Sequence, residues 1–230
     1  EKAVAMIDPR NLDTLLHPQF DQAALKAAEQ SMVLLKNDGI LPLKKEKLKT
    51  VAVIGPNADS REILKGNYNG TATEQYTILE GLRQELGDQV RIFYSEGCHL
   101  YRENVEALAE GDDRISEAVS MARRSDVVFL CLGLDARLEG EEGDANNSYA
   151  GADKKDLEFP DSQKHLMEAV CAVGKPVIFL ISTGSAMNLS YAGEKGNAIL
   201  QTWYPGQMGG IAAANLLFGK TVPSGKLPVK

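Results

Sequence analysis

Short aliphatic runs recur along this sequence and are separated by longer segments in which apolar residues follow helical spacing. The runs are Val51–Ile54, Val90–Phe93, Val127–Leu132, Val177–Ile181 and Ala198–Gln201. Because the runs are continuous instead of alternating with polar residues, they predict strands buried on both faces of a sheet. The predicted crossover helices lie at about 75–86, 112–124, 161–173 and 207–218. We therefore predict an α/β fold, a doubly wound, mostly parallel sheet covered by helices on both faces (an α/β sandwich).

The N-terminal part of the chain has a different pattern. Residues 1–20 contain two prolines and predict an irregular lead-in linker, so the folded domain is placed at 21–230. Asp21 is the predicted N-cap of a helix whose apolar residues continue at helical spacing through Leu35. The run Asn37-Asp38-Gly39 predicts the end of that helix.

Composition and charge exclude several classes of function. The 230-residue chain has 25 basic and 32 acidic side chains, a net charge of −7. This balance, without a basic stripe, argues against binding to nucleic acid or to an anionic membrane surface. No apolar run approaches the roughly 20 residues that a membrane-spanning helix needs. The N-terminus has no cleavable apolar segment and does not begin with Met, which is compatible with a fragment of a longer protein.

The cysteines indicate little chemistry. Cys98, Cys131 and Cys171 are too few and too scattered for a disulfide framework or a zinc cage. Cys131 lies within an apolar run and is predicted to be a buried, unreactive thiol. The unpaired cysteines slightly favour a cytoplasmic location, and the sequence defines the compartment no further.

One loop stands out at the carboxyl ends of the predicted strands, where functional groups gather in open α/β sheets. It spans 133–156, about 24 residues where such loops usually have 2–6. It contains Glu139-Gly140-Glu141-Glu142-Gly143-Asp144, with four acids and no base. Mutual repulsion among crowded carboxylates raises the pKa of at least one of them, as a general acid requires. On these residues alone, a solvated acidic loop is the alternative.

Other motifs are less specific. Ile54-Gly55-Pro56-Asn57-Ala58 lacks the glycine spacing and the lysine of a phosphate-binding loop. Ser182-Thr183-Gly184-Ser185 lacks the Gly-x-Ser-x-Gly pattern of a nucleophile elbow. The glycines of Pro205–Gly210 fit either anion binding or close helix–strand packing. Trp203 and Tyr204 fit either stacking on a sugar or packing against the loop.

Several longer segments together resemble one family. They are 28–43, 51–58, 66–70, 97–98, 203–210 and 223–229. In this order they resemble the C-terminal α/β sandwich domain of glycoside hydrolase family 3. The resemblance implies a retaining, exo-acting β-glucosidase or β-xylosidase, a β-linked oligosaccharide or glycoside as substrate, and no cofactor or metal. It also implies an N-terminal (β/α)8 barrel of the same enzyme that holds the aspartate nucleophile. No such barrel fits in this chain, so the isolated chain is expected to be inactive.

The resemblance also implies that the loop at 133–156 supplies the acid/base glutamate over the mouth of the barrel. The β-xylosidase-like form Leu-Asp-x-x-x-Glu-x-Glu fits residues 134–141 without a gap and selects Glu141. The Glu-Gly pair found in many members selects Glu142 instead. The family's following Asp-Arg and Leu-x-Leu-Pro match 153–160, with Lys154 in place of Arg, after an extra stretch that leaves the register open. Glu141 is favoured.

Two other functions remain open from the sequence. The first is a non-catalytic carbohydrate-binding or structural α/β module. The second is a nucleotide- or flavin-binding domain, against which the missing phosphate fingerprint argues. The sequence predicts neither the preferred sugar nor the oligomeric state.

Overall fold

The computed structural model describes residues 18–103, 113–140 and 154–228. The strands are β1 (Val33–Asn37), β2 (Thr50–Ile54), β3 (Arg91–Ser95), β4 (Val127–Gly133), β5 (Val177–Ser182) and β6 (Ala198–Gln201). The helices are α1 (Pro18–Ser31), α2 (Ile78–Leu86), α3 (Asp113–Arg123), α4 (Ala136–Glu139), α5 (Asp161–Cys171), α6 (Ser190–Lys195) and α7 (Gly209–Leu217). Short 3₁₀ turns lie at Lys45–Lys47, Glu62–Leu64 and Gly87–Gln89.

The strands form one six-stranded sheet in the order β1-β6-β5-β4-β2-β3. Every neighbouring pair is parallel except β1 and β6. The central strands β4 and β5 are buried along their whole length, which explains why their aliphatic runs are continuous. The predicted mostly parallel α/β fold is confirmed.

Helices cover both faces of the sheet and bury two separate cores. On one face, α1, α2 and α7 pack over strand residues that include Val53, Phe129 and Leu180. On the other face, α3, α5 and α6 pack over strand residues that include Leu130 and Phe179. Adjacent strand residues therefore serve opposite cores, as the alternation of side chains along a strand requires. Among the described residues, no helix combines the length and the apolar content that a bilayer crossing needs.

The prediction for the first helix was wrong at both ends. The helix ends at Ser31 instead of continuing through Leu35, and Val33–Asn37 form β1. Asp21 lies in the first turn of a helix that begins at Pro18 and is not its N-cap. Residues 18–20 of the predicted linker are thus helical, and residues 1–17 lie outside the described part of the chain.

Pairing with β6 explains why β1 is a strand. Val33 lies opposite Gln201, and Asn37 lies opposite Ala198, so β1 is the antiparallel edge of the sheet. Apolar spacing in a short segment cannot distinguish a helix continuation from such an edge strand. Sheet pairing therefore overrides the local helical pattern here.

Helices α2 and α7 approach closely enough for their backbones to touch. An added Cβ at Gly81 would lie 2.0 Å from the Gly210 carbonyl oxygen. An added Cβ at Gly210 would lie 1.8 Å from the Thr77 carbonyl oxygen. The glycines at the start of α7 therefore permit close packing between two helices, whereas the sequence predicted packing of a helix against a strand as the alternative to anion binding.

The three cysteines are free thiols. Cys131 is completely buried in β4, and burial raises its pKa. Burial also raises the pKa of Cys98 to about 12 and that of Cys171 to about 11. The predicted unreactive character of Cys131 follows from this burial.

Candidate active site

The carboxyl ends of the parallel strands meet at one edge of the sheet. Strand order reverses direction between β2 and β4, and a crevice of about 590 Å³ opens at this point. Its lining includes Asn57, Glu96, His99, Arg102 and Asp135. Crevices at such reversals are the usual location of binding sites in open α/β sheets. The loop that follows β4 thus begins at the edge where chemistry is expected.

Asp135 fixes the start of that loop. Its carboxylate accepts hydrogen bonds from the backbone N–H groups of Arg137 (3.0 Å) and Leu138 (3.2 Å), so it caps α4. The same carboxylate forms an ion pair of 2.6 Å with the Arg137 guanidinium. Asp135 is only 1% exposed, and Leu138 is buried beside it. The Leu-Asp pair of the sequence motif, Leu134 and Asp135, is therefore buried and starts the short helix α4, of which Leu138 is the buried residue.

Glu139, the last residue of α4, is held by three hydrogen-bond donors. Its Oε2 accepts from the Gly184 backbone N–H at 2.6 Å and from the Tyr204 hydroxyl. Its Oε1 accepts from the Ser185 hydroxyl. Both carboxylate oxygens are thus engaged by loops that follow β5 and β6. Burial and then the negative charge of Glu139 raise the pKa of Tyr204.

This network gives roles to residues that the sequence left open. Tyr204, considered for sugar stacking or for packing, donates its hydroxyl to Glu139. Trp203 donates its indole N–H to the Ser31 carbonyl oxygen at 3.0 Å, which ties it to the end of α1. Ser185, from the segment that lacks the nucleophile-elbow pattern, binds the same carboxylate as Tyr204.

Lys154 begins the next described segment and contacts the same loop after β5. Its ammonium group donates to the Ala186 carbonyl oxygen at 2.5 Å and lies 3.4 Å from the sulfur of Met187. Burial lowers the pKa of Lys154, and the negative charge of Glu139 opposes this shift. Residues 184–187 therefore contact the chain on both sides of the segment 141–153.

The predicted acid/base residues, Glu141 and the alternative Glu142, lie outside the described residues. Gly143 and Asp144 of the acidic cluster also lie outside them. Glu139 is the acidic residue of the cluster that the described residues include, and its oxygens accept hydrogen bonds from protein donors. Within the described ranges, no group of three or more His, Cys, Asp or Glu side chains could hold a metal ion.

Comparison with known proteins gives the family. The family model for the glycosyl hydrolase family 3 C-terminal domain matches residues 32–230. A β-xylosidase of Formosa agariphila is 37% identical over 218 residues, which cover 92% of this chain and 28% of that protein. A periplasmic β-glucosidase of Salmonella typhimurium is 34% identical over an alignment of 235 positions, gaps included, that covers 95% of this chain and 29% of that protein.

Solved structures agree with the sequence comparison. The structure of a GH3 exo-β-xylosidase (XlnD) in complex with a xylobiose aziridine activity-based probe matches with a TM-score of 0.79 and 31% identity. The match covers 94% of this chain and 26% of that one. The GH3 β-glucosidase of Bifidobacterium adolescentis matches with a TM-score of 0.73 and 35% identity, over 90% of this chain and 28% of that one.

The chain therefore spans between 26% and 29% of the length of these four relatives. The family match nevertheless runs from the start of β1 to the end of the chain. It includes the carboxyl end of β4 and the acidic sequence that follows. On sequence and on structure alike, the chain belongs to the glycoside hydrolase family 3 C-terminal domain family.

Proposed function

We propose that this chain is the C-terminal domain of a retaining, exo-acting β-glycosidase and supplies its general acid/base carboxylate. The observation that carries the proposal is that the acidic sequence Glu139–Asp144 begins shortly after the carboxyl end of the central strand β4, in a chain of this family. The nucleophile belongs to an N-terminal barrel of the same enzyme, outside this chain. The substrate is a β-linked oligosaccharide or glycoside, consistent with relatives named β-xylosidase and β-glucosidase.

The proposed reaction uses two carboxylates in a double displacement. In the first step, the nucleophile attacks the anomeric carbon while Glu141 gives its proton to the departing glycosidic oxygen. In the second step, the ionised Glu141 takes a proton from water as the water displaces the enzyme from the anomeric carbon. Glu142 is the alternative in this role, because the register of the acidic cluster is open.

The occupancy of Glu139 supports a later glutamate as the acid. A general acid must bring a carboxyl oxygen within hydrogen-bond reach of the leaving oxygen. Both oxygens of Glu139 already accept hydrogen bonds from Gly184, Ser185 and Tyr204. Glu139 would have to break these bonds before it could protonate a substrate, and the other two glutamates of the cluster, Glu141 and Glu142, follow it by two and three residues.

The experiment is an alanine replacement of Glu141 in the full-length enzyme. We expect Glu141→Ala to lower the rate on poor leaving groups by several orders of magnitude, because their oxygen must be protonated as it departs. Activated aryl glycosides should lose far less in the first step. Azide should restore turnover and yield a β-glycosyl azide, since this anion needs no general base. Rescue in Glu142→Ala instead would move the role to Glu142, and rescue in neither variant would refute the proposal.

A further inference from the structure

We propose that Glu139 is a positioning residue, whose carboxylate anchors the loop that carries the acid/base glutamate to Gly184, Ser185 and Tyr204. This inference rests on the proposed function. In this role Glu139 holds the acid/base glutamate in position through the backbone, and does more than add a negative charge to the acidic cluster. The segment after β5 thereby also has a role in catalysis, through the loop that it holds.

The first support is the convergence of donors from different parts of the chain. Gly184 and Ser185 follow β5, whereas Tyr204 follows β6, and all three donate to one carboxylate. Hydrogen bonds to an ionised acceptor are roughly twice as strong as those between neutral groups. The half-buried position of Glu139 limits competition from water. The anchor therefore joins the end of α4 to the two loops that follow β5 and β6.

The second support is the space around Gly184. A Cβ added at Gly184 would lie 3.0 Å from Oε2 of Glu139 and 3.0 Å from Cε2 of Tyr204. A larger residue at 184 would therefore push against both partners. The absence of a side chain here lets the backbone N–H reach the carboxylate directly. The segment after β5 is shaped to receive Glu139.

The third support is the position of Glu139 in the chain. Glu141 follows it by two residues and Glu142 by three, so fixing Glu139 limits the positions that either glutamate can reach. On the far side of the segment 141–153, Lys154 donates to the Ala186 carbonyl oxygen. The same short segment, 184–187, thus holds both flanks of the loop. Positioning at this level matters, since a 1 Å displacement of a reacting group can cost about 100-fold in rate.

The Tyr204 hydroxyl stays protonated at neutral and acidic pH. Burial and the negative charge of Glu139 both raise the pKa of the Tyr204 hydroxyl. The hydroxyl therefore remains protonated and continues to donate. The Gly184 N–H and the Ser185 hydroxyl do not titrate in this range either. All three donors therefore keep their protons as the pH changes.

The test removes the donors and leaves every glutamate in place. The variants are Ser185→Ala, Tyr204→Phe and their combination, in the full-length enzyme. We measure kcat and KM on aryl β-glucosides and β-xylosides with poor and with activated leaving groups. The double variant should lower kcat/KM on poor leaving groups by about 10- to 100-fold. It should change the rate of the first step on activated glycosides by less than about 3-fold, because that step needs little protonation.

A Glu139→Gln variant and a matched control complete the test. The glutamine side chain has one accepting oxygen where glutamate has two. Glu139→Gln should therefore lower kcat/KM on poor leaving groups about as much as the double variant does, and azide should not restore the rate. Glu117→Gln is the control. Glu117 also accepts a hydrogen bond from a serine, the Ser95 hydroxyl at 2.6 Å, but this bond lies at the end of β3. It should leave all rates unchanged. Thermal unfolding of each variant verifies that the enzyme remains folded.

The outcomes separate this inference from the proposed function. An equal loss on all leaving groups, or no loss at all, would refute the anchoring role of Glu139. The alanine variants of Glu141 and Glu142 are measured in parallel. If one of them shows the leaving-group dependence and azide rescue while the anchor variants do not, only the anchor is refuted. If neither shows them, the proposed function itself fails.

Discussion

The side chain of Gln163, in α5, bonds both backbone polar groups of Gly133, the last residue of β4. The Gly133 N–H donates to Oε1 of Gln163 at 2.9 Å, and Nε2 of Gln163 donates to the Gly133 carbonyl oxygen at 2.7 Å. Nε2 also donates to the Leu100 carbonyl oxygen at 2.6 Å. Gln163 is fully buried. This amide therefore joins a helix to the point from which the long loop starts.

Replacing Gln163 by leucine should destabilise the chain by about 3 kcal/mol, because it leaves the buried backbone groups of Gly133 and the partly buried carbonyl of Leu100 without the bonds that Gln163 makes. Urea unfolding of the 230-residue chain measures the change in the free energy of unfolding. Gln84→Leu is the matched control, since Gln84 is an exposed residue of α2. It should change stability by less than about 0.5 kcal/mol. Similar small effects of both changes would contradict the structural role of Gln163.

Replacing Gly210 by alanine should cost about 2–3 kcal/mol, because the new Cβ would force α2 and α7 apart. The Cβ would lie 1.8 Å from the Thr77 carbonyl oxygen. Gly193→Ala, in α6, is the control, since an added Cβ there meets nothing within 4 Å. Alanine should stabilise that helix by up to about 1 kcal/mol. Thermal unfolding should therefore show shifts of opposite sign, and equal shifts would refute the tight helix contact.

Asp126 should make stability depend on pH. Its Oδ2 accepts from the backbone N–H groups of Lys49 (2.8 Å) and Thr50 (2.9 Å), and these bonds lower the pKa of Asp126 in the folded chain. Because the pKa of Asp126 is lower in the folded chain than the unfolded value of about 3.9, its ionisation stabilises the fold above that pH. This stabilisation is lost as the pH falls through the lowered pKa. Asp126→Asn should therefore destabilise the chain at pH 7, by less than about 1 kcal/mol given its exposure.

The same comparison at low pH supplies the check. At pH 3 the difference in the free energy of unfolding between the parent chain and Asp126→Asn should shrink, because pH 3 lies below the unfolded pKa of about 3.9 and the unfolded chain then gains a proton on Asp126 that opposes folding. Urea unfolding at both pH values measures it. A difference that stays constant from pH 7 to pH 3 would show that the carboxylate charge contributes nothing.

The sequence was sufficient to predict the parallel strands of the sheet, but not its edge strand β1 or the contacts of Glu139. Continuous runs such as Val127–Leu132 predict buried parallel strands, because few other elements are apolar on both faces. The edge strand β1 was mistaken for helix, since its apolar residues continue the spacing of α1. The partners of Glu139 lie 45 to 65 residues away in the chain, so no local pattern identifies them.

A partial signal for these partners was nevertheless present. Ser185 and Tyr204 both follow buried runs, and residues at the carboxyl ends of parallel strands meet at one edge. Asp135 likewise has the type of side chain that caps a helix N-terminus, and it lies two residues after the end of β4. Which donor binds which carboxylate depends on loop conformation, and this requires the folded structure.

The purified 230-residue chain should unfold cooperatively but hydrolyse no aryl β-glucoside or β-xyloside at a measurable rate. Its two buried cores belong to one sheet, so cooperative unfolding by circular dichroism is expected. Turnover needs two carboxylates on opposite faces of the sugar, and the proposed nucleophile lies outside this chain. Activated glycosides and added azide should not restore activity, since neither replaces a nucleophile. Turnover by the purified chain that Glu141→Ala abolishes would refute the division of the active site between two domains. Turnover that survives Glu141→Ala would come from a contaminating enzyme or from another site on the chain. Further purification would remove the first kind of turnover but not the second.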